Sequence, residues 1–482
     1  LPTAFARYAY LPLTDAVKRM PVRRYLREAE ALDRRPLREL EALQLDKLRR
    51  ALEQAGRETR FYAERFRAAG FRPDELRSVT DLARIPELSK YDIFEHREEM
   101  RSPRCVGRRF DGFTSGSTGV ALHFDFDSRQ YGYAIACGLR GRGWWGVRRG
   151  DSELSVWGRP AAHTWWTDRS TWAKYKLRNT VQFDAFANFD GDAIIAALRR
   201  IRPRVVYGYG SSLGRLAEAM AARGVALEGD ERPAIVEYTA DHMYAQEKKL
   251  CEQVFGAPVL SAYGSSDCGG VAQQCREGRL HMSIDHVVVE FLRDDGSAAG
   301  PDETARVVLT QLHNAAMPLV RYAVGDLGSY SADPCPCGVT LPVMNLTIGK
   351  TADVINTSQR SGVQASILDY INILLMKEGI RGVKQYMVLQ TSLDAFKVSF
   401  VKETPFEQRA VDVFVAKMRE YLGDGIAVTV DFVDAIPLQK SGKRRYFLKA
   451  FGQEREASSI DDSPRGSLEE TAARAPGAPG EG

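Results

Sequence analysis

The sequence reads as an α/β protein with a large layered unit followed by a smaller one, and three observations lead there. Short apolar runs, "RVVYGYG", "APVLSAYG", "HVVVEFL" and "ARVVLTQL", recur between Arg108 and about Thr347. They alternate with stretches such as "SSLGRLAEAMAARG" and "YAQEKKLCEQVFG", whose apolar residues fall at helical spacing. That alternation predicts sheets layered with helices. Beyond residue 354 a second set of strand-like runs, "VKQYMVLQ", "AFKVSFV" and "IAVTVDFV", surrounds the helical segments "ASILDYINILLMKEG" and "PFEQRAVDVFVAKMREYLG". A compact unit of about 100 residues is expected there.

The elements follow in order. Residues 36–70 carry leucine and alanine at helical spacing with charges between them, so the chain begins with amphipathic helices that end at Gly70. The large unit takes residues 1–348, a link 349–353, and the small unit 354–453. After Phe451 the composition turns to Ser, Pro, Gly and acidic residues, and 454–482 are expected to be a disordered tail.

At 482 residues, 44% of them hydrophobic, the chain has material for roughly three domain-sized cores. Lys plus Arg total 67 against 63 acidic residues, so the net charge of +4 carries no global nucleic-acid or membrane footprint. A small-molecule partner is expected. No apolar run approaches the ~18 residues of a membrane span, and Arg7 and Asp15 interrupt the opening stretch before a signal-type core can form. The expected location is the cytoplasm. Seven cysteines over this length argue for thiols or metal ligands rather than a disulfide framework.

The chemistry starts at "FTSGSTGVAL", residues 113–122. Gly116 and Gly119 allow a tight turn with inward N–H groups, while Thr114, Ser115, Ser117 and Thr118 add hydroxyl donors. Such a loop can wrap a polyphosphate, or it can be a solvated Ser/Gly turn. It lacks the lysine of a Walker loop, and no cation lies between Asp111 and Arg129. Four later stretches bear on that missing charge: "SAYGSSDCGG", with Tyr263, Gly264, Ser265 and Asp267; "RYAVGDLG", with Asp326; "IGKTADVI", with Lys350; and "IPLQKSGKRRYF", with Lys443.

This ordered set resembles the adenylate-forming ligase superfamily. "YGYGSSLGRLA", "LHNAAMPLVRYAVGDL" and "CPCG" are similar to segments of its phenylacetate-CoA ligase-like branch, and the resemblance spans residues 36–451. It implies a large N-terminal nucleotide-binding domain and a mobile C-terminal lid joined by a hinge at 349–353. By that resemblance Thr114–Gly119 hold the ATP phosphates and Tyr263 stacks on adenine, as a flat ring flanked by glycine can. Asp267, where the family has glutamate, ligates Mg²⁺, an oxygen-seeking cation. Asp326 accepts the ribose hydroxyls. Lys443 swings in with the lid to stabilise charge at the substrate carboxylate and α-phosphate, which supplies the cation the loop lacks.

The implied reaction activates a carboxylic acid with ATP to an acyl adenylate, releases pyrophosphate and passes the acyl group to coenzyme A. Lys350 and Ala352 replace the arginine and aspartate usual at the hinge, and "NTSQRSGVQAS" departs from the pattern bordering a pantetheine tunnel. An amine or another small nucleophile is therefore an alternative acceptor, and a non-catalytic nucleotide-binding scaffold an alternative of another kind. Pocket walls are expected around Tyr207, Tyr209, Tyr238, Ala240 and Ala262, which suit an aromatic or apolar acid. A homodimer is left open as the assembly.

Cys275, His281, Cys335 and Cys337 form two short-spaced pairs that could meet as a closed tetrahedral Cys₃His zinc site or remain unrelated buried thiols. Related proteins of the branch carry similar residues there, which favours zinc, with His286 as the competing ligand. All six tryptophans lie between Trp144 and Trp172, interleaved at first with Arg140, Arg142, Arg148 and Arg149. Three readings remain open for this region: a single-stranded nucleic-acid surface, an anion-facing acceptor surface, or packing between helix and sheet.

Overall fold

The computed structural model describes residues 3–114, 122–158, 172–185, 189–240, 243, 245–347, 354–360, 363–365, 367–368, 371, 374–375, 378–380, 382–402, 405–434, 436 and 447–450. The expected tail, the 349–353 link, and the segments holding Ser115–Gly119 and Lys443 lie outside the described residues.

Helices α1 (Leu11–Val17), α2 (Val22–Glu30), α3 (Leu37–Glu58), α4 (Arg60–Ala68) and α5 (Lys90–Met100) precede the sheets. In α3 the buried stripe Leu40, Gln44, Leu48, Leu52 and Ala55 follows helical spacing. The one polar member, Gln44, is satisfied by donating to the Ile284 carbonyl at 2.9 Å. Strands β1 (Arg109–Thr114) and β2 (Leu122–Asp127), which flank residues 115–121 in sequence, form a separate antiparallel pair. Asp127 then caps α6 (Ser128–Gly143) by accepting from the Arg129 and Gln130 N–H groups.

Next come β3 (Glu153–Trp157), β4 (Thr180–Asp184), α7 (Gly191–Ile201), β5 (Val205–Tyr209), α8 (Gly210–Ala222), β6 (Ile235–Thr239), α9 (Ala245–Phe255) and β7 (Val259–Ser265). Antiparallel strands β8 (Gly269–Gln274), β9 (Leu280–Met282), β10 (Val287–Leu292), β11 (Ala305–Gln311), β12 (Tyr322–Ser331) and β13 (Val343–Thr347) follow. All except β1 and β2 join one eleven-stranded sheet, ordered β10-β11-β12-β13-β9-β8-β7-β6-β5-β3-β4.

The sheet changes character at β7, which runs parallel to β6 and antiparallel to β8. On the parallel side, Leu154, Val156, Val206 and Val236 pack against Ile194, Leu198, Leu213, Leu216 and Phe255 of the covering helices. Val205, Ile235 and Leu260 fill the other face with Val147. Burial on both faces explains why these strands read as nearly continuous apolar runs. The antiparallel side shares a core with α3–α5.

A second sheet, ordered β16-β15-β14-β17, is built from β14 (Val383–Ser392), β15 (Ala395–Lys402), β16 (Ala427–Phe432) and β17 (Phe447–Lys449), with α10 (Gln408–Leu422) packed on it. Its core runs from Ile355 to Phe447 and draws on no residue of the larger sheet. Across the two units the Gln385 amide donates to the Tyr91 hydroxyl. Among the described residues no helix is long and apolar enough to cross a membrane.

Candidate active site

The carboxyl ends of the parallel strands and the change of direction at β7 meet at one rim, the place where open α/β sheets hold ligands. Tyr263 sits there beside a β-bulge between Tyr263 and Gly264. Gly264 is needed for close approach, because a Cβ at this position would lie 2.5 Å from the Gly269 carbonyl oxygen. The Tyr263 hydroxyl donates to Asp326 Oδ2 at 2.9 Å. Gly325, at φ +85°, lies within β12 where its register on β11 shifts between Ala323 and Leu327, and the irregularity sets the place of Asp326. Burial first, and then the Asp326 charge, hold the Tyr263 phenol well above its ordinary pKa, so it stays a hydrogen-bond donor.

Asp267 lies in the β7–β8 turn and is only 5% exposed. Its Oδ1 accepts the Cys268 N–H at 3.0 Å, a donor shared with Ser265 Oγ at 3.2 Å. The Asp267 carbonyl accepts from Gln311 Nε2 at 2.6 Å, and Gln311 Oε1 is in turn fixed by the Asn314 amide at 3.1 Å and the Leu319 N–H at 3.1 Å. The Tyr322 phenol, raised by burial first and next by the Asp267 charge, completes this wall. An anionic oxygen donor held rigidly at a turn fits a hard cation such as Mg²⁺. Gln311, Asn314 and Tyr322 were not singled out in the sequence. Asn314 and Tyr322 lie within the quoted "LHNAAMPLVRYAVGDL", so the segment was visible but its positioning role was not.

Thr114 ends β1, whereas Ser115, Gly116, Ser117, Thr118, Gly119, Lys350 and Lys443 lie outside the described residues. The pocket residues come from three neighbouring strands, but the pleat divides them. Tyr207 and Tyr209 lie on one face of β5 and stack on Trp157, with ring centroids 5.3 and 3.9 Å away. Ala262 continues that face on β7, in register with Gln273. Tyr238 pairs with Gly208 and points away from Tyr207, packing against the helix-covered core that Tyr209 also touches, while Tyr207 packs with the core on the other face. Ala240 follows β6 with φ +72°, a left-handed conformation costly for a residue with a Cβ.

The arginine cluster does not form an anion-facing surface. Arg140 is buried and paired with Asp285 at 3.0 Å, Arg142 pairs with Glu153 at 2.7 Å and with Glu237, and Arg149 grips Asp15. Arg148 alone of the four is exposed. The tryptophans nearest them pack: Trp144 Nε1 donates to Asp33 at 2.7 Å and Trp145 Nε1 to the Gln274 carbonyl at 2.9 Å. Trp172, 63% exposed, does not, and Trp165 and Trp166 fall outside the described residues.

Cys275, His281, Cys335 and Cys337 do come together, with their ligand atoms all within 4.8 Å of one another. Cys275 Sγ lies 3.7 Å from Cys335 Sγ, and Cys337 Sγ 3.3 Å from His281 Nε2. The other ring nitrogen, Nδ1, lies 2.7 Å from the Leu341 carbonyl, the orienting contact that leaves Nε2 available to a metal. Three sulfurs and one imidazole at this spacing fit a tetrahedral zinc ion. His286 takes no part: its Nε2 contacts the Cys268 carbonyl at 3.1 Å, and burial lowers its pKa to about 4.

Comparison with known proteins accords with this geometry. The CapK C-terminal domain family matches residues 357–449. Protein CapK of Staphylococcus aureus is 22% identical over 389 residues, covering 77% of this chain and 80% of that protein. Phenylacetate-coenzyme A ligase of Thermus thermophilus is 27% identical over 351 residues, covering 69% and 74%. Among solved structures, 2-hydroxyisobutyryl-CoA ligase in complex with 2-HIB-AMP and CoA superposes with a TM-score of 0.58 at 18% identity, covering 87% of this chain and 91% of that one. The fold is that of the adenylate-forming ligases. In sequence the chain is similar to the phenylacetate-CoA ligases and to CapK, and in fold to the adenylate-forming ligases.

Proposed function

We propose that this ligase activates an aromatic or apolar carboxylic acid with ATP and Mg²⁺ to an acyl adenylate, releases pyrophosphate, and transfers the acyl group to coenzyme A. The observation that carries the reading is the Tyr263–Asp326 hydrogen bond of 2.9 Å beside buried Asp267. It joins the residue assigned to the adenine face with the one assigned to the ribose, next to the assigned metal ligand. Asp326 orients the nucleoside through its carboxylate oxygens, and Tyr263 keeps that carboxylate aimed. Bound Mg²⁺ would neutralise phosphate charge beside Asp267. Lys443, carried by the small unit, adds a point charge where the carboxylate and α-phosphate meet, and holding two anions together is the main barrier this site must lower. In this reading residues 354–453 act as a lid on the 349–353 link, and the loop at 114–119 cradles the phosphates.

The Cys₃His cluster holds a structural zinc ion in the same proposal, since four protein ligands leave no open position for chemistry. A second acceptor class, an amine or another small nucleophile, is kept because Lys350 and Ala352 replace the usual hinge residues and "NTSQRSGVQAS" departs from the pattern bordering a pantetheine tunnel. The test is carboxylate-dependent exchange of labelled pyrophosphate into ATP across a panel of aryl and alkyl acids, followed by product analysis with coenzyme A and with amines. Exchange with at least one acid is expected. Its absence across the whole panel, with ATP still bound, would replace the ligase reading with that of a nucleotide-binding scaffold.

A further inference from the structure

A cleft of about 280 Å³ opens between α2, α3, the first turns of α6 and the Leu312–His313 segment. Four cations line it, Arg24, Lys47, Arg50 and Arg129. Two of them make no ion pair among the described residues. Arg129 donates from Nε to the His313 carbonyl at 3.0 Å and reaches Gln54 Oε1 at 3.5 Å. Lys47 donates to the Asp285 carbonyl at 2.8 Å, and the Asp285 carboxylate is already engaged by Arg140 at 3.0 Å. Burial holds Lys47 below the ordinary lysine pKa, against the Asp285 charge that raises it. The other two cations sit in exposed pairs on single helices, Arg24 with Glu28 at 2.7 Å and Arg50 with Asp46 at 2.5 Å. Such pairs hold their partners weakly and release them to a better anion.

The floor is rigid. Tyr25 stacks on Tyr133 at 4.1 Å and Tyr133 on His313 at 3.7 Å, nearly parallel. The His313 ring Nε2 contacts the Asp285 carbonyl at 2.9 Å, and burial first, then the Lys47 charge, holds its pKa well below the ordinary value, so it is neutral. One carboxylate reaches the cleft, Glu28, which accepts from the Tyr133 hydroxyl at 2.6 Å and pairs with Arg24, so four cations stand there against a single anion. A concave site with an excess of positive charge focuses potential on a compact anion, and guanidinium forks match phosphate oxygens in pairs.

We propose that this cleft is a binding site for a phosphate-bearing ligand, held by Arg129 and Lys47 and closed by Arg50 and Arg24. The proposal does not rest on the adenylation reading, because none of these residues belongs to the Tyr263–Asp326–Asp267 group. Inorganic pyrophosphate and ribose 5-phosphate, titrated calorimetrically into the full chain without Mg²⁺, separate a free oxyanion from a phosphate ester by which binds more tightly. Arg129→Gln is expected to weaken binding about 10-fold or more, the scale of a lost charge-assisted hydrogen bond. Arg24→Gln/Arg50→Gln, a surface pair that does not threaten folding, is expected to weaken it about 3-fold, and Lys47→Arg to retain it. Lys443→Ala should bind as the wild type does. Absence of binding by both probes, unchanged affinity in the Arg129 and double variants, or loss confined to Lys443→Ala would overturn the assignment.

Discussion

The Cys/His cluster and the Tyr263–Asp326 pair lie along one ribbon of strands, β12-β13-β9-β8-β7, yet they are assembled by different means. The cluster uses neighbours. Cys275 follows β8, His281 lies on β9 opposite Val343 of β13, and the two remaining cysteines occupy the loop that leads into β13. The tyrosine and aspartate sit on strands four steps apart in that order, roughly 19 Å in a flat sheet at about 4.8 Å per step. Their contact at 2.9 Å shows that the ribbon curls until its first and last strands meet. A site made by adjacent strands exists as soon as those strands pair. One made by curl depends on the whole sheet.

The comparison predicts that the two sites fail differently. Lys443→Ala should reduce adenylation by about 10²–10³ while ATP binding and thermal stability stay near wild type, the scale for losing one preorganised charge-stabilising donor. Exchange assays beside nucleotide titrations check it, with Lys440→Ala and Arg445→Ala as controls; equal losses in all three would mean a diffuse basic surface. Cys335→Ser should do the reverse, removing zinc from purified protein and lowering Tm by about 5–10 °C, as expected for ~2–3 kcal/mol lost with a bound metal. Metal analysis showing no zinc in the wild type would remove this half of the contrast.

His286 tests the turn between the sites. Its folded pKa of about 4 lies below the ordinary 6.5, so the unfolded chain binds the extra proton between those values. The contribution is present above pH 6.5 and is lost as pH falls toward 4, worth at most roughly 3 kcal/mol. Melting curves at pH 5 and 7.5 should show a larger acid loss in the wild type than in His286→Gln; equal losses would show that the histidine is not responsible. Tyr263→Phe keeps the ring and removes only the bond to Asp326. About a 10-fold rise in KM for ATP is expected, matching ~1.5 kcal/mol for a hydrogen bond to a carboxylate. A fall in Tm with unchanged KM would make that bond structural.

Alternation of apolar runs with helical stretches was enough to establish the α/β layers, because burial on both faces of β3, β5, β6 and β7 leaves its mark in local composition. The Cys/His group was legible for a similar reason, since short-spaced pairs restrict where ligands can go. The arginines were not. Their partners lie far along the chain, 145 residues away for Arg140 and Asp285 and 95 for Arg142 and Glu237, and charge in a sequence carries no address. The pleat was also hidden: Tyr207 and Tyr238 both end apolar runs, but the register of β5 on β6 turns them to opposite faces. Motif order alone named Tyr263 and Asp326. That they touch follows from the bulge at Gly264 and the curl of the ribbon, which sum small twists over many strands and are encoded by no single segment.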